Sequence, residues 1–600
     1  MISFINEEEK RLNGQIMARM DSFYDKKEKM IVQYRGEHGY HSTLVNQWAH
    51  SNLESFRYAY ELMNRDEKGD FEEGEAILRR VIPLQDTDPS RSTYGIWSYY
   101  MEEPLDKMAP PDWNWADFCG KVLLQVLMDY GDRLSVDLKE MVKNSLHHCC
   151  NSIMRRDMGP HYTNISIMGT LVTMAGGEVL SLENLVSYAR KRLDVLYEFN
   201  MGHGAFQEYN SPSYTWVVID DLAAMMPYIR DEEALKKFRD INDLAWRCIA
   251  EHYHYSTKQW AGPHSRFYAM LEDEELLMRI QRALDYRISL VPLDREGLAG
   301  KLPMGFFSSR SVCPEQYTSY FTEPTKDARI DAVFVRGKKN ADVKIAVCRQ
   351  KEAYNLGTFY KSTFWNQRRN HISYFNTEQG PVYCGLKCLH DFYDYSSATI
   401  VTAQEGLRAV SAAGFVTDGG DTHPSLDKVK EASVLASDMR IRFEIGGNVG
   451  SVRAVQTGER EFSVQIGQTE VRITFPYVKF GENTVQFGIT EESEHVNETG
   501  DHKVTGAMIG IDAILYHGEP KTICFTELEE CCCGITFEII SEGAEAVTGE
   551  SARVEDGFLW VEQGNLRVKS PVAACTITQF EEEARAFRGN REYLDIYYHD

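Results

Sequence analysis

The spacing of apolar residues changes once along this chain of 600 residues, and that change limits the folds open to it. Up to about residue 290, apolar residues recur every three or four positions, which is typical of amphipathic helices. Such runs lie at 118–128, 167–180, 185–196, 217–229 and 235–249. Past about residue 325 the apolar residues alternate in short runs, as they do in β-strands. These runs lie at 332–335, 343–347, 464–466, 471–475 and 559–561.

The two patterns predict an α+β multidomain protein with the helices first. We expect a helical toroid or bundle over residues 1–300 and an antiparallel β-sandwich over 301–600, with room for two sub-sheets. Pro292, Pro303, Gly305 and Pro314 interrupt the pattern between the halves, so the linker is expected at 290–325.

The charge of the chain limits its partners. With 65 basic and 90 acidic residues the formal net charge is −25, and the resulting field repels phosphate, so no nucleic-acid partner is expected. An anionic ligand needs a local basic pocket that works against this field. No apolar run reaches the length of a bilayer span, so we expect no membrane partner. A homo-oligomer stays open.

Cysteine usage and the first residues bear on the compartment. The thirteen cysteines include the neighbours Cys149 and Cys150 and the triplet at 531–533, a free use of thiols that fits a reducing environment. The first ten residues are acidic where a secretion signal is basic and then apolar. We therefore expect a cytoplasmic protein.

Residues 202–216 form the densest cluster of polar and aromatic side chains between two predicted helices. Its glycines and proline predict a loop, and binding residues concentrate on loops held by a scaffold. The candidate substrate-binding residues are His203, Glu208 and Tyr209, and Tyr214 is a catalytic candidate. The alternative is a polar turn between helices whose tyrosines pack at the surface.

Asn164 precedes or begins the helix predicted at 167–180. It is either an N-cap, a common role for asparagine, or an amide directed into a cavity.

Two further segments suit a sugar ligand. In residues 260–268, His264, Arg266 and Tyr268 follow a Gly-Pro turn, and such donors bind carboxylates. The alternative is a loop arginine paired with a neighbouring acid. Trp113 and Trp115 either stack on a sugar ring or belong to the core.

The familiar phosphate-binding, dinucleotide-binding and zinc-protease motifs are absent from the sequence. His390, Asp391 and His423 are candidates for a structural metal site in the second half, although scattered sets of this kind are usually incidental. We expect that no cofactor is required.

Taken together, these segments resemble the toroid-type polysaccharide lyases: the heparinase II/III-like enzymes, the alginate lyases and the hyaluronate and chondroitin lyases. Residues 204–206 followed by Tyr214 look like the glycine-aromatic loop that ends in their catalytic tyrosine. Asn164 is similar in placement to the asparagine that neutralises the substrate carboxylate, and Arg266 falls where these enzymes carry an arginine. The resemblance implies an incomplete (α/α) toroid followed by antiparallel sheets.

The resemblance also implies β-elimination on a uronate-containing oligo- or polysaccharide. An amide or cation stabilises the enolate that forms at the carboxylate, and a phenol can protonate the departing oxygen. The base is Tyr214, His264 or His371. The expected partner is a short imported acidic oligosaccharide.

Two other functions compete with the lyase. A glycoside hydrolase on the same scaffold needs two carboxylates, which Glu208 with Asp112 or Glu54 could supply. A non-catalytic carbohydrate-binding protein would use the aromatic residues alone.

Overall fold

The helices occur where the three- and four-residue spacing predicts them. Four of the five expected runs lie in α4, α6, α7 and α9 as defined here, and the run at 217–229 begins in α8 but extends past its end at Met225. The helices of the described residues are α1 (Glu7–Asp21), α2 (Asn52–Arg65), α3 (Asp70–Val81), α4 (Trp115–Tyr130), α5 (Val136–Arg156), α6 (Thr163–Leu180), α7 (Glu183–His203), α8 (Pro212–Met225), α9 (Glu232–His252), α10 (Glu274–Ala283), α11 (Leu298–Lys301), α12 (Thr318–Thr322), α13 (Ile577–Glu583) and α14 (Tyr593–Tyr597).

Local chemistry fixes the ends of these helices. The Ser51 side chain accepts a hydrogen bond from the Glu54 N–H and so caps α2. Helix α7 ends at Gly204, whose φ of +66° lies in the left-handed region and whose N–H donates to the carbonyls of Asn200 and Met201. Glycine adopts this conformation without steric cost, which explains its place directly after the last turn.

The strands of the described residues are β1 (Tyr24–Asp25), β2 (Met30–Arg35), β3 (Gln47–Ser51), β4 (Tyr253–His254), β5 (Gln259–Trp260), β6 (Ala328–Val335), β7 (Lys344–Gln350), β8 (Tyr354–Phe359), β9 (Lys361–Thr363), β10 (His371–Thr377), β11 (Gly380–His390), β12 (Tyr393–Asp394), β13 (Ala398–Glu405), β14 (Arg408–Phe415), β15 (Ser433–Gly447), β16 (Val452–Gln456), β17 (Glu461–Ile466), β18 (Thr469–Phe480), β19 (Gln486–Glu492), β20 (Met508–Cys524), β21 (Cys531–Ile540), β22 (Ser551–Glu555), β23 (Phe558–Gln563), β24 (Leu566–Pro571), β25 (Arg585–Arg588) and β26 (Arg591–Glu592). The five expected strand runs lie in β6, β7, β17, β18 and β23.

These strands pair antiparallel into five sheets among the described residues. A nine-stranded sheet has the order β19-β20-β15-β11-β10-β8-β7-β6, with β12 on β11. A seven-stranded sheet has the order β16-β17-β18-β21-β14-β13-β9, and β22 to β26 form a five-stranded sheet in sequence order. The small sheets are β1-β2-β3 and β4-β5. The sheet of β1 to β3 lies in the half for which only helices were expected.

The two large sheets share one apolar core. Phe443 of β15 stacks on Phe537 of β21, with ring centroids 5.3 Å apart. The seven-stranded sheet also packs through Val401 and Val410 against the five-stranded sheet. Strands β13 and β14 are therefore covered on both faces, which explains their runs of small apolar residues.

The computed structural model describes residues 4–36, 41–336, 343–419, 431–493, 506–541, 543 and 545–597. They divide into two compact units. The helical unit comprises Met1–Glu208, Tyr214–Arg247 and Asp273–Thr318, and the β unit comprises Tyr209–Ser213, Cys248–Glu272 and Ser319–Asp600. We expected the boundary between the halves at residue 300, and the last segment of the helical unit ends at Thr318. Two short segments from the first half of the sequence, Tyr209–Ser213 and Cys248–Glu272, belong to the β unit. The incomplete toroid and the sandwich stay predictions.

None of the helices in the described part of the chain combines the length and the apolar character that a bilayer span needs.

Gly357 of β8 provides a test of packing in the β unit. A Cβ atom there would lie 1.9 Å from the Gly262 carbonyl oxygen, so Gly357→Ala must displace backbone. We expect it to lower the free energy of unfolding by at least about 2 kcal/mol, measured by urea denaturation. Gly488 of β19 is the matched control, since a Cβ there meets nothing within 4 Å. Equal effects of the two substitutions would contradict this packing.

Candidate functional site

Helix α6 begins at Thr163, and a carboxylate from the 202–216 segment binds its first turn. The Thr163 N–H donates to Oε2 of Glu208 at 2.9 Å, and the Glu208 N–H donates to the Thr163 side-chain oxygen at 3.3 Å. A carboxylate at a helix N-terminus satisfies an unpaired N–H and is stabilised by the helix dipole. The buried carboxylate of Glu208 thus positions the start of α6, and its role in substrate binding stays a prediction.

Asn164 follows directly, and it is not the N-cap, because that position is Tyr162. Its side chain is 2% exposed, and its Oδ1 has no hydrogen-bond partner among the described residues. The two ends of an amide are assigned from hydrogen bonding, so the unpartnered atom is one end of the carboxamide. A buried polar atom without a partner costs about 1–3 kcal/mol, and such atoms concentrate at functional sites.

The other candidates of the helical unit lie on helix ends. Tyr214 is half-buried in the first turn of α8. His203 lies in the last turn of α7, and its Nδ1 donates to the Phe199 carbonyl oxygen at 2.7 Å, which leaves Nε2 as the acceptor nitrogen. Their roles in catalysis and binding stay predictions.

Trp113 precedes α4 and Trp115 is its first residue, and both are half-buried. Trp115 stacks on Tyr99 with ring centroids 4.0 Å apart, and the Trp113 indole donates to the Ser92 carbonyl oxygen at 2.8 Å. One face of Trp115 is therefore occupied by protein, and sugar stacking by these residues stays a prediction.

In the β unit, the structure brings together two segments that the sequence singled out separately. The Ser265 N–H donates to the Tyr209 carbonyl oxygen at 3.0 Å, and the Ser211 hydroxyl donates to the Arg266 carbonyl oxygen at 2.6 Å. The Asn210 amide donates to the carbonyl oxygens of Ala261 and Pro263. Residues 209–211 and 261–266 therefore run side by side, joined largely through main-chain groups.

Tyr209 and His264 are internal to this junction. The Tyr209 hydroxyl donates to Nε2 of His252 at 2.9 Å, and its ring stacks on Phe334. Nδ1 of His264 donates to the Asn210 carbonyl oxygen at 2.8 Å, and burial lowers the pKa of this imidazole to about 3. Both side chains are buried and hydrogen-bonded within the protein, in contrast to Oδ1 of Asn164, which has no partner among the described residues. The assignments of Tyr209 to substrate binding and of His264 to catalysis are therefore corrected to positioning roles.

Arg266, in contrast, contributes to a half-buried cationic cluster. Its guanidinium lies 5.4 Å from the centre of the Trp365 ring, and Arg368 lies 5.5 Å from the same ring. The Arg266 Nε–H donates to Gln367 at 3.0 Å, and a terminal N–H donates to the hydroxyl of exposed Tyr268 at 3.2 Å. Two guanidinium groups beside aromatic rings provide the local basic surface that an anionic ligand needs.

His371 lies in the core of the β unit. Its ring contacts Phe443 and Phe537, with centroids 5.3 and 4.5 Å away, and burial lowers its pKa to about 3. A general base must reach the proton that it removes, and this fully buried ring lies among core side chains. We therefore remove His371 from the candidate bases.

The described candidates for a metal site, His390 and Asp391, do not belong to a metal-binding cluster of described residues. Nε2 of His390 lies 2.8 Å from the Leu435 carbonyl oxygen, Asp391 accepts from the Asp438 N–H, and His423 lies outside the described residues. Across the described ranges, no group of three or more His, Cys, Asp or Glu side chains is arranged to hold a metal ion.

The helical unit contains a cavity of about 260 Å³ that the sequence did not indicate. Charged residues of α2, α4, α8 and α10 contribute to its lining, namely Arg57, Glu61, Lys121, Asp220, Asp221 and Arg279. Nζ of Lys121 lies 2.6 Å from Asp221, and Arg279 pairs with Asp220. Each charged residue lies on a helix whose buried face mixes apolar with polar residues such as Asn52 and Gln125, so periodicity alone does not single it out.

Glu61 is the unusual member of this cavity, because burial raises the pKa of its carboxyl to about 7. Its Oε1 accepts from Ser308, and its buried Oε2 has no partner within the described residues. A carboxylic acid that is partly protonated near neutral pH can donate a proton, as a general acid does.

Comparisons with known proteins give only distant similarities. A family described as a domain of unknown function (DUF8769) matches residues 10–278. No curated protein matches the chain in sequence.

Three solved structures are similar in fold at low identity. A crystal structure of heparinase III has 10% identity over 96% of this chain and 91% of its own, with a TM-score of 0.44. A heparinase III with methylated lysines has 8% identity over 89% and 82%, with a TM-score of 0.33. A chondroitinase AC lyase, solved in complexes with oligosaccharides, has 10% identity over 97% and 91%, with a TM-score of 0.40. Such low scores assign no activity, so the function is inferred below from this chain's own residues.

The buried state of His371 predicts a pH effect on stability. As pH falls below about 6.5, the unfolded chain binds a proton at this residue that the folded chain excludes. The free energy of unfolding should therefore fall by up to about 1.4 kcal/mol per pH unit from this residue. In urea denaturation across this range, His371→Leu should lose that part of the slope. Exposed His161 provides the control, since His161→Gln should keep the wild-type slope. Equal slopes for wild type and His371→Leu would show that His371 is protonated in the fold.

Proposed function

We propose that this chain is a lyase that cleaves a uronate-containing oligo- or polysaccharide by β-elimination. The carrying observation is Asn164, whose carboxamide is buried in the first turn of α6 and whose Oδ1 has no hydrogen-bond partner among the described residues. The amide neither caps its helix nor faces water, so its polar group is held in place for something other than local structure. The NH2 end of such an amide can donate a hydrogen bond to a uronate carboxylate.

The proposed reaction balances without a redox cofactor. A base removes the proton next to the carboxylate, a carbon–carbon double bond forms, and the glycosidic carbon–oxygen bond breaks. The departing oxygen then takes up a proton. The Asn164 amide would stabilise the enolate as negative charge develops on the carboxylate, an effect worth about 3–4 kcal/mol for a well-placed donor.

Tyr214 is the residue that we assign to proton transfer. Because His264 and His371 are buried, Tyr214 remains of the three candidate bases. It lies in the first turn of α8, where the helix dipole favours a phenolate. As a phenolate it can remove the proton, and as a phenol it can return a proton to the departing oxygen.

In the β unit, Arg266 is a candidate carboxylate-binding group in its own right. Its guanidinium lies between Trp365, Gln367 and Tyr268, a mixture of cation, amide and aromatic groups that suits an acidic sugar. We propose a short acidic oligosaccharide as substrate, attacked from its end, in the cytoplasm. A homo-oligomer is compatible with this function.

A glycoside hydrolase is the second candidate function, and the Glu61 cavity favours it. Glu61 can act as the acid, and buried Asp221 lines the same cavity with an oxygen, Oδ2, that has no hydrogen-bond partner in the part of the chain that the structure describes. The pair named from sequence is less suitable, because the Glu208 carboxylate binds the start of α6 and the Asp112 carboxylate accepts a hydrogen bond from the Tyr99 hydroxyl. Inverting and retaining hydrolases both need two such carboxylates.

The lyase proposal is tested by ultraviolet absorbance during digestion of alginate, glycosaminoglycan and other glycuronan oligomers, because only elimination creates a conjugated unsaturated uronate. We expect absorbance to rise with at least one oligomer. Asn164→Ala should lower turnover by at least about a hundredfold with little change in thermal stability. Tyr214→Phe should do the same. Tyr197→Phe, which removes a hydroxyl bonded to surface Asp240, is the control and should be silent. Near-normal turnover by Tyr214→Phe would exclude Tyr214 as the residue that transfers the proton.

Glu61→Gln separates the two candidate functions. It keeps the shape of the side chain but removes the acid, so a lyase should keep its turnover within about threefold. A hydrolase should lose at least about a hundredfold, measured as reducing ends formed without ultraviolet absorbance.

A further inference from the structure

A second cavity of the helical unit lies beside the small sheet of β1 to β3. Its volume is about 620 Å³, and three exposed aromatic side chains line it. Phe23 is 39% exposed, Tyr34 54% and Trp48 57%. We call this cavity the aromatic groove, defined by these three residues with Arg19, Arg35 and Lys301. Large aromatic side chains that stay this exposed together mark a binding surface.

The backbone holds two of the rings in fixed relation. Tyr34 of β2 lies directly opposite Trp48 of β3 in the antiparallel register, and their ring centroids are 5.4 Å apart. Cross-strand neighbours on one face of a sheet contact each other, so the rings form a pre-arranged surface rather than two independent side chains. Little conformational entropy is lost when a ligand binds to such a surface.

The groove is basic although the chain as a whole is acidic. Among the described residues its lining contains Arg19, Arg35 and Lys301 against the acid Glu275, whereas the chain carries a net charge of −25. Lys301 also pairs with Glu274 at 3.0 Å, so Arg19 and Arg35 carry most of the positive charge of the groove. The Arg19 guanidinium is fixed by carbonyl oxygens of residues 299, 300 and 302 at 2.7–2.8 Å. The Arg35 guanidinium lies 5.5 Å from the Tyr100 ring, and its buried Nε has no partner in the described part of the chain.

We infer that the aromatic groove binds an acidic oligosaccharide, at a place separate from the residues that carry the reaction. Sugar rings would pack their C–H faces on Trp48 and Tyr34, and the carboxylates would face Arg35 and the other two cations. Asn164 and Tyr214 are not among the residues that line the groove. The choice of a uronate chain as ligand rests on the proposed function, whereas the groove itself does not.

The chemistry favours this occupant over other macromolecules. Three cations are too few to hold a nucleic acid against the repulsion of the whole chain. A docking helix or a second copy needs an apolar interface core, and here cations stand among the rings instead. A polymer that carries one carboxylate per sugar offers both an apolar face and regular negative charge.

The experiment measures binding of saturated alginate and chondroitin oligomers, with neutral cello-oligomers for comparison, by isothermal titration calorimetry. The full-length protein carries Tyr214→Phe, which suppresses turnover under the lyase proposal. In this background we expect Trp48→Ala and Arg35→Gln each to weaken binding of an acidic oligomer by at least about tenfold. Trp560→Ala is the matched control, because Trp560 lies in the five-stranded sheet with Arg553 and Arg567 against its ring. It should leave binding unchanged.

The possible results test ligand binding by the aromatic groove separately from the proposed lyase activity. Unchanged binding of every acidic oligomer by Trp48→Ala overturns the groove, even if the wild type proves to be a lyase. Equal binding of neutral oligomers overturns the acidic ligand class. A loss of self-association rather than of sugar binding in Trp48→Ala, seen by light scattering, assigns the groove to a second copy and overturns the inference. Weakened binding in Trp48→Ala supports the groove even if the wild type forms no unsaturated product.

Discussion

The hydrogen bonds between Glu208 and Thr163 are the constraint on which the proposed carboxylate site depends. They connect residues distant in sequence, and they fix where α6 begins. Because Asn164 is the next residue, its carboxamide takes its position from this contact. A carboxylate at a helix N-terminus contributes both a hydrogen bond and a favourable charge–dipole interaction, so the first turn of α6 is held more firmly than a solvated helix end.

In the β unit, hydrogen bonds to main-chain carbonyl oxygens likewise position the segment that carries Arg266. Asn210 and His264 are buried, and they bind carbonyl oxygens of each other's segments. The neutral imidazole is suited to this role, since a charged ring would carry a large desolvation cost at this depth. Buried polar residues thus form the support, while half-buried Arg266 and exposed Tyr268 stay the candidate ligand-binding groups.

The sequence predicted the helices and strands well where their pattern is long and regular. Helices α6 and α7 and strand β18 follow directly from periodicity. The sheet of β1 to β3 was missed because β1 has two residues and β2 ends in polar ones, too short a pattern for alternation to show.

For the candidate site, the sequence named segments rich in candidate ligand-binding residues, but it did not show which of their side chains are buried. His371 was named as a candidate base, yet it is buried together with Arg369 and Asn370, because β10 brings this segment into the interior of the β unit. Burial depends on tertiary packing, which local pattern does not encode. Glu61 was overlooked for the converse reason, since it occupies a buried helix position that usually holds an apolar residue.

The fate of water in the reaction tests the central claim most directly. The substrate is the oligomer that gives the strongest ultraviolet signal, digested in water enriched in heavy oxygen and analysed by mass spectrometry. Elimination adds no water, so the two products should together have the mass of the substrate and carry no label. Products that together gain one labelled water would identify hydrolysis and contradict the assignment of Asn164 and Tyr214 to a lyase.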